Sequence, residues 1–143
     1  MNTENRSVVL DTNITISAAI SKGGLPANVL KLLVTGKIIN YTTKDITEEL
    51  IGVFEKSSIR NIVNDENKKL ILEGYISKSV IIKQKFDEKV ILEDPSDDKF
   101  INCALTSKSN IISGDSHLLR LKRYKGVKIM SAKEFLKNKS KPL

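Results

Sequence analysis

Ser7-Val8-Val9-Leu10-Asp11-Thr12-Asn13 is an apolar run that stops on a carboxylate, and Asn110-Ile111-Ile112-Ser113-Gly114-Asp115 repeats the pattern far down the chain. Neither run alternates apolar with polar residues, the mark of a strand covered on both faces. Such strands belong to parallel sheets, whose crossovers are helices. As members of one sheet they would bring Asp11 and Asp115 to the edge where open α/β sheets carry their sites.

Outward from these runs, helical and extended stretches alternate. Asn13 can cap a helix over 14–20 that Ser21-Lys22-Gly23-Gly24 breaks, and Pro26 suits the first turn of a helix closed by Gly36. A strand is predicted over 38–41, and Thr42 with Asp45 resembles a capping box for a helix through Phe54. A helix over 65–77 would turn Leu70, Ile71 and Tyr75 inward, and 80–82 reads as a short strand. The stretch from there to Glu93 has no readable period. Asp94-Pro95 then opens a helix through Ser107 with Asp94 as its cap. Residues 116–123 read as helix and 127–130 as strand, and Ser131 with Glu134 boxes a last helix over 132–137. This alternation predicts a three-layer α/β/α sandwich with a mostly parallel central sheet, in one domain over 1–143 with frayed ends at 1–6 and 138–143.

Composition narrows the partners. At 143 residues and 40% hydrophobic content, the chain supports one core. No apolar run approaches the ~20 residues of a membrane span, and the N-terminus is too polar for a signal peptide, so a cytoplasmic protein without membrane contact is expected. Cys103 stands alone in an apolar helical stretch and reads as buried core. The net charge of +7 suits a polyanion through phosphate contacts, and equally a solvated lysine-rich surface. With 5% aromatic residues there is no stacking platform for single strands.

The acids give the charge its meaning. At roughly 100° per residue, Glu49 borders the stripe of Ile46, Leu50, Val53 and Phe54, whereas Glu48 points away. The same arithmetic puts Asp97 near the centre of the stripe of Phe100, Ile101 and Ala104, and Asp98 toward its edge. Asp11, Glu49, Asp97 and Asp115 would then converge at one edge of the sheet, a cluster that needs protons or a cation. With no cysteine or histidine in the set, a hard ion, Mg2+ or Mn2+, fits. Such an ion supports hydrolysis of a phosphodiester by activated water.

Blander roles compete with each assignment. Asp11 could be only a helix cap, Asp115 a turn residue, Glu49 an outward-snorkelling acid and Asp97 a capping acid. Asp94 reads first as a structural cap and Asp98 as peripheral. Asn13 could orient Asp11 or cap a helix, and Ser113 could bond a site carboxylate or have no role. His117, the sole histidine, has no metal-ligand spacing around it and is left between substrate contact and bystander. Gly23-Gly24 lacks the context of a phosphate-binding loop.

Five segments in order resemble the PIN domain family, in particular its bacterial toxins of toxin–antitoxin pairs: VVLDTNITISA from Val8, TTKDITEEL from Thr42, DPSDDKFINCAL from Asp94, SGDSHLL from Ser113 and GVKIMSAKEFL from Gly126. The resemblance implies a Mg2+- or Mn2+-dependent endoribonuclease in which Asp11, Glu49, Asp97 and Asp115 match the family's four acids. Asn13 and Ser113 match its small polar positions, and Asp94 and Asp98 match further acidic ones. It also implies a homodimer in many members, and a small antitoxin that covers the acidic groove. Thr47 departs from the pattern, standing where an apolar residue is usual. Two other classes compete: a catalytically silent PIN-like module that binds RNA or protein, and a phosphotransfer enzyme or receiver. A haloacid-dehalogenase-like phosphatase would want an acid where Asn13 stands.

Overall fold

The computed structural model describes residues 6–140. Its central sheet has six strands, β1 (Ser7–Leu10), β2 (Ile39–Thr42), β3 (Ser79–Ile81), β4 (Asn110–Ile112), β5 (Arg123–Tyr124) and β6 (Val127–Met130), in the order β3-β2-β1-β4-β6-β5. Every pairing is parallel except β5 with β6. The architecture is the three-layer α/β/α sandwich with a mostly parallel sheet that the alternation predicts. In β1 and β4, Val8 pairs with Asn110 and Leu10 with Ile112. The ladder continues past both strands: Asp11 N donates to Ile112 O at 3.0 Å, and Ser113 N to Met130 O at 2.9 Å. The residues after the strands are thus held almost as firmly as the strands.

The pleat divides the core. Val8, Leu10 and Ile112 pack on helices α1 (Thr12–Ile20), α2 (Leu25–Val34) and α8 (Ala132–Ser140), through Ile14, Leu30, Leu33 and Phe135. Val9, Ile111 and Ile129 face α6 (Asp98–Ser107) and α7 (Ser116–Leu121), through Phe100, Ile101, Ala104 and Leu118. A third cluster joins α1 to α3 (Lys44–Glu55) and α5 (Asp65–Lys78) through Ile16, Leu50, Phe54 and Tyr75. Cys103 is fully buried, which pushes its thiol up to about 12 and leaves it inert.

Several local expectations need correction. The cap of α1 is Asp11, whose carboxylate accepts from Asn13 N, and not Asn13. The cap of α3 is Thr43, accepting from Ile46 N at 3.2 Å, because Thr42 is still a strand residue and bonds Tyr75 Oη at 2.8 Å. Thr47 is accommodated in α3, where its hydroxyl donates to Thr43 O at 2.9 Å. Leu70 is 60% exposed, so α5 buries Tyr75 without it. Asp94 does not start one continuous helix; a 3-10 turn at Pro95–Asp97 intervenes before α6. Arg123 leaves the helix to pair in β5, and a short helix, α4 (Ser57–Arg60), follows α3. Of the ends expected to fray, 1–5 and 141–143 lie outside the described residues. Arg6 is tied to Gly36 O at 2.8 Å, and α8 runs on to Ser140.

Ile82 N still bonds Thr42 O at 2.9 Å, and beyond it the stretch to 93 has no ladder of its own and is strapped to α6. Asp98 accepts from the backbone of Val90 and Ile91 at 3.0 and 2.8 Å, Asn102 from Glu88 at 2.8 Å and Thr106 from Lys85 at 3.0 Å. These acceptors lie four residues apart, on one face of the helix.

Asn40 closes the short pairing of β1 with β2. Fully buried, it accepts from Leu10 N at 2.9 Å where the paired rungs end, and donates to Ser79 Oγ at 2.9 Å. Asn40→Leu leaves a buried amide without an acceptor and should cost about 2 kcal/mol. Urea unfolding should show a lower midpoint at unchanged slope; an unmoved midpoint would refute this role.

Candidate active site

Asp11 leaves β1 at the carboxyl edge and is 4% exposed. Its Oδ2 accepts from Ser113 Oγ at 2.6 Å, and its Oδ1 accepts a longer bond, 3.4 Å, from Asn13 N. The same Ser113 oxygen accepts from Asp115 N at 2.9 Å. One buried hydroxyl therefore spans the two strand-end acids. Asn13 completes the tie between these loops, its Oδ1 accepting from Gly114 N at 3.2 Å. Asp115 caps α7, its Oδ1 accepting from His117 N at 2.7 Å and Leu118 N at 3.3 Å.

Glu49 reaches the same edge from α3. Thr12 Oγ1 donates to its Oε2 at 2.5 Å, and Lys99 Nζ to its Oε1 at 3.1 Å. Asp97 arrives from the 3-10 turn and is 7% exposed. Its Oδ2 is buried with no hydrogen-bond partner, one of two such side-chain atoms among the described residues, the other being Thr15 Oγ1. Asp94 sits at the turn's cap position but bonds no backbone amide; its Oδ1 accepts from Ser96 Oγ at 2.6 Å. Asp11, Glu49, Asp94, Asp97 and Asp115 all line one open depression of about 250 Å3, with Asn13. Asp98 is spent on the strap, as described above.

Two of these acids belong to a ligand cluster that was not evident from spacing. Ligand atoms of Asp94, Asp97 and His117 lie within 4.8 Å of one another. His117 is placed there by the first turn of α7, with Nδ1 3.8 Å from Asp115 Oδ1. The lone histidine had no ligand spacing because its neighbours come from another loop. Lys99 and Thr12 were likewise missed: both follow a candidate acid by one or two positions, and no local pattern marks either as a partner of Glu49.

Burial and mutual repulsion strain the acids. Burial pushes Asp11 up to about 6 against the bonds from Ser113 and Asn13 N, and the charges of Asp115 and Glu49 add to the rise. Asp97 is pushed up to about 7, first by burial and then by Asp115, Asp11, Asp94 and Glu49. An orphaned carboxylate oxygen among like charges is what a hydrated hard cation would relieve. The residues present therefore fit such an ion, with Asp94, Asp97 and His117 as its nearest converging ligands.

The sequence model of the PIN domain matches residues 7–117. An uncharacterized protein of Methanocaldococcus jannaschii, MJ1680, is 40% identical over 116 residues, covering 80% of this chain and 74% of that protein. The crystal structure of VapBC2 from Rickettsia felis, bound to a DNA fragment from their promoter, superposes with a TM-score of 0.58 at 18% identity. That match covers 87% of this chain and 98% of the other, and it is a likeness of fold. No helix among the described residues is long and apolar enough to cross a membrane.

The raised carboxyls set a pH dependence. Between about pH 4, where an unfolded aspartate titrates, and the folded value of about 7, the native state holds the proton that the unfolded chain has lost. Without divalent ions, stability should therefore fall as pH rises through this window. Asp97→Asn removes the charge and should stabilise the metal-free protein at pH 8 by on the order of 2 kcal/mol, the gain fading toward pH 4. Thermal melts in chelator across this range read the difference; a pH-independent difference contradicts the assignment.

Proposed function

Because the chain belongs to the PIN domain family, we propose that it is a Mg2+- or Mn2+-dependent endoribonuclease, the cytoplasmic toxin of a toxin–antitoxin pair. Asp11, Glu49, Asp97 and Asp115 form the catalytic and metal-holding set in this reading. Asp94, Asn13 and Ser113 support it, Asp98 serving only the strap that holds the neighbouring backbone, and His117 joins Asp94 and Asp97 at the ion. The partners are RNA, a small antitoxin protein seated over the acidic depression, and a second copy of the chain. The observation that carries the reading is the unpartnered, buried Oδ2 of Asp97 beside Asp94 and His117.

When bound, Mg2+ or Mn2+ supplies Lewis acidity to a phosphodiester oxygen and makes a water easier to deprotonate. The chain's own residues set the stage. Ser113 pins Asp11 Oδ2, leaving Oδ1 with only its long bond to Asn13 N. Asp115 spends Oδ1 on the amides that open α7, which keeps Oδ2 for the depression. Thr12 and Lys99 fix Glu49 by one oxygen each, so its carboxylate is oriented before substrate arrives. Lys99 is thus a positioning residue, and its ammonium lowers the charge against which an RNA phosphate must approach.

The test is cleavage of a panel of structured RNAs in Mn2+. The wild type should cut, chelator should stop it, and Asp11→Asn should be slower by about 100-fold or more. Cleavage that ignores both metal and the substitution would refute the reading. Lys99→Met should keep Mn2+ binding yet lower the rate about 10-fold, with Lys99→Arg recovering part of it.

A further inference from the structure

Away from the acids, a cleft of about 380 Å3 opens between α7, the β5–β6 hairpin and α8. Lys122, Arg123 and Lys128 line it together with Glu134. None of the three cations forms an ion pair among the described residues, and Glu134 Oε1 is engaged by Ser131 in the capping box that opens α8. Three exposed cations against the single carboxylate of Glu134 give the cleft a positive potential that favours an anion.

A second observation falls at the same place, at one of the three lysines with positive φ among the described residues, the others being Lys108 and Lys125. Lys122 has φ 62 and ψ −47, the γ-turn region that side chains other than glycine rarely enter. The fold holds it there by Lys122 N donating to Leu119 O at 3.2 Å and Lys122 O accepting from Ile129 N at 3.0 Å. Glycine would fill this corner without strain, so a lysine here retains a charge at a conformational cost.

The cleft also lies on a path from the acids. Asn13 lines both the acidic depression and a second one, of about 320 Å3, that runs past Ser113 and Gly114 to Lys133 in the first turn of α8. The next residue of that turn, Glu134, lines the basic cleft. Along the other wall, α7 runs from Asp115 at its start to Lys122 at its end, about 9 Å of helix.

We infer that Lys122, Arg123 and Lys128 form a phosphate-binding cleft for the RNA strand flanking the scissile bond, which crosses Gly114 and Lys133 to reach it. The inference rests on the ribonuclease reading for the identity of the strand, while the cleft's affinity for it can be measured without catalysis. The acids then act on a phosphate whose neighbours are already neutralised.

The experiment measures binding of a labelled single-stranded RNA by fluorescence anisotropy in chelator, over a range of salt, for wild type, Lys122→Gly and Lys128→Gln. Each variant should bind about 3- to 10-fold more weakly, and each should lower the slope of log affinity on log salt by about 0.7, the loss of one phosphate contact. Lys122→Gly should at the same time melt at a higher temperature, which separates lost binding from lost folding. In Mn2+, cleavage of an RNA too short to reach the cleft should stay at the wild-type rate in both variants, while KM for the long RNA rises. Wild-type affinity and salt slope in both variants would overturn the cleft even if the enzyme cuts RNA. Weakened binding by a protein that cuts no RNA would keep the cleft and remove the nuclease. Unchanged RNA binding with loss of an acidic protein partner would assign the surface to that partner and overturn the inference.

Discussion

The parallel pairing of β1 with β4 is the constraint from which the rest of the molecule follows. It forces two chain segments far apart in sequence to end side by side, and each ends in an aspartate. Parallel strands leave that edge to loops and helix starts, so Asp11 and Asp115 both become helix caps as well as neighbours. Two like charges so placed would push the strands apart, and the fold answers with Ser113, whose buried hydroxyl donates to one acid and accepts from the amide of the other. Capping and clustering are therefore not competing explanations for these residues. The amides that open each helix make it tolerable to keep a carboxylate there.

The parts legible in the sequence were those governed by period and by chain ends. Unbroken apolar runs gave parallel strands, and the helical stripe that turns Glu49 and Asp97 toward the sheet gave two residues that the fold carries to the same depression as Asp11 and Asp115. What escaped depends on contacts between elements. Lys99 lies two residues from Asp97 in sequence, but its ammonium serves Glu49 on α3, a pairing no local pattern reveals. His117 meets Asp94 and Asp97 only because α7 and the 3-10 turn share the sheet edge. The misplaced caps have a simpler cause: at Thr42-Thr43 either residue can cap, and the bond to Tyr75 that keeps Thr42 in its strand is long-range.

The stretch 82–93 shows why some backbone has no readable period. Past Ile82, four of its amides are satisfied by side chains of α6 instead of a ladder, so the pattern that specifies it, Asp98, Asn102 and Thr106, is written in another segment. Asp98 belongs to that ridge, while Asp97, one residue earlier, turns to the depression. Adjacent acids in one sequence thus take opposite duties, one bound by backbone amides and one left with an unsatisfied oxygen. That contrast is the reason to read Asp97 as poised for something outside the chain.

The charge pattern sharpens the same point. A protein with a net charge of +7 that gathers five of its seventeen acids at one sheet edge keeps an internal field gradient, from the cations beside β5 and β6 to the carboxylates after β1 and β4. A polyanion is drawn by the exterior and repelled by the pocket. A divalent cation would be drawn by the pocket and would compete there with the protons that Asp11 and Asp97 retain up to about 6 and 7. Proton, cation and polyanion would therefore be coupled through one set of side chains: whatever discharges Asp97 also lowers the barrier to an approaching polyanion. A fold that buried these acids without repelling them from one another would be more stable and would lose that coupling.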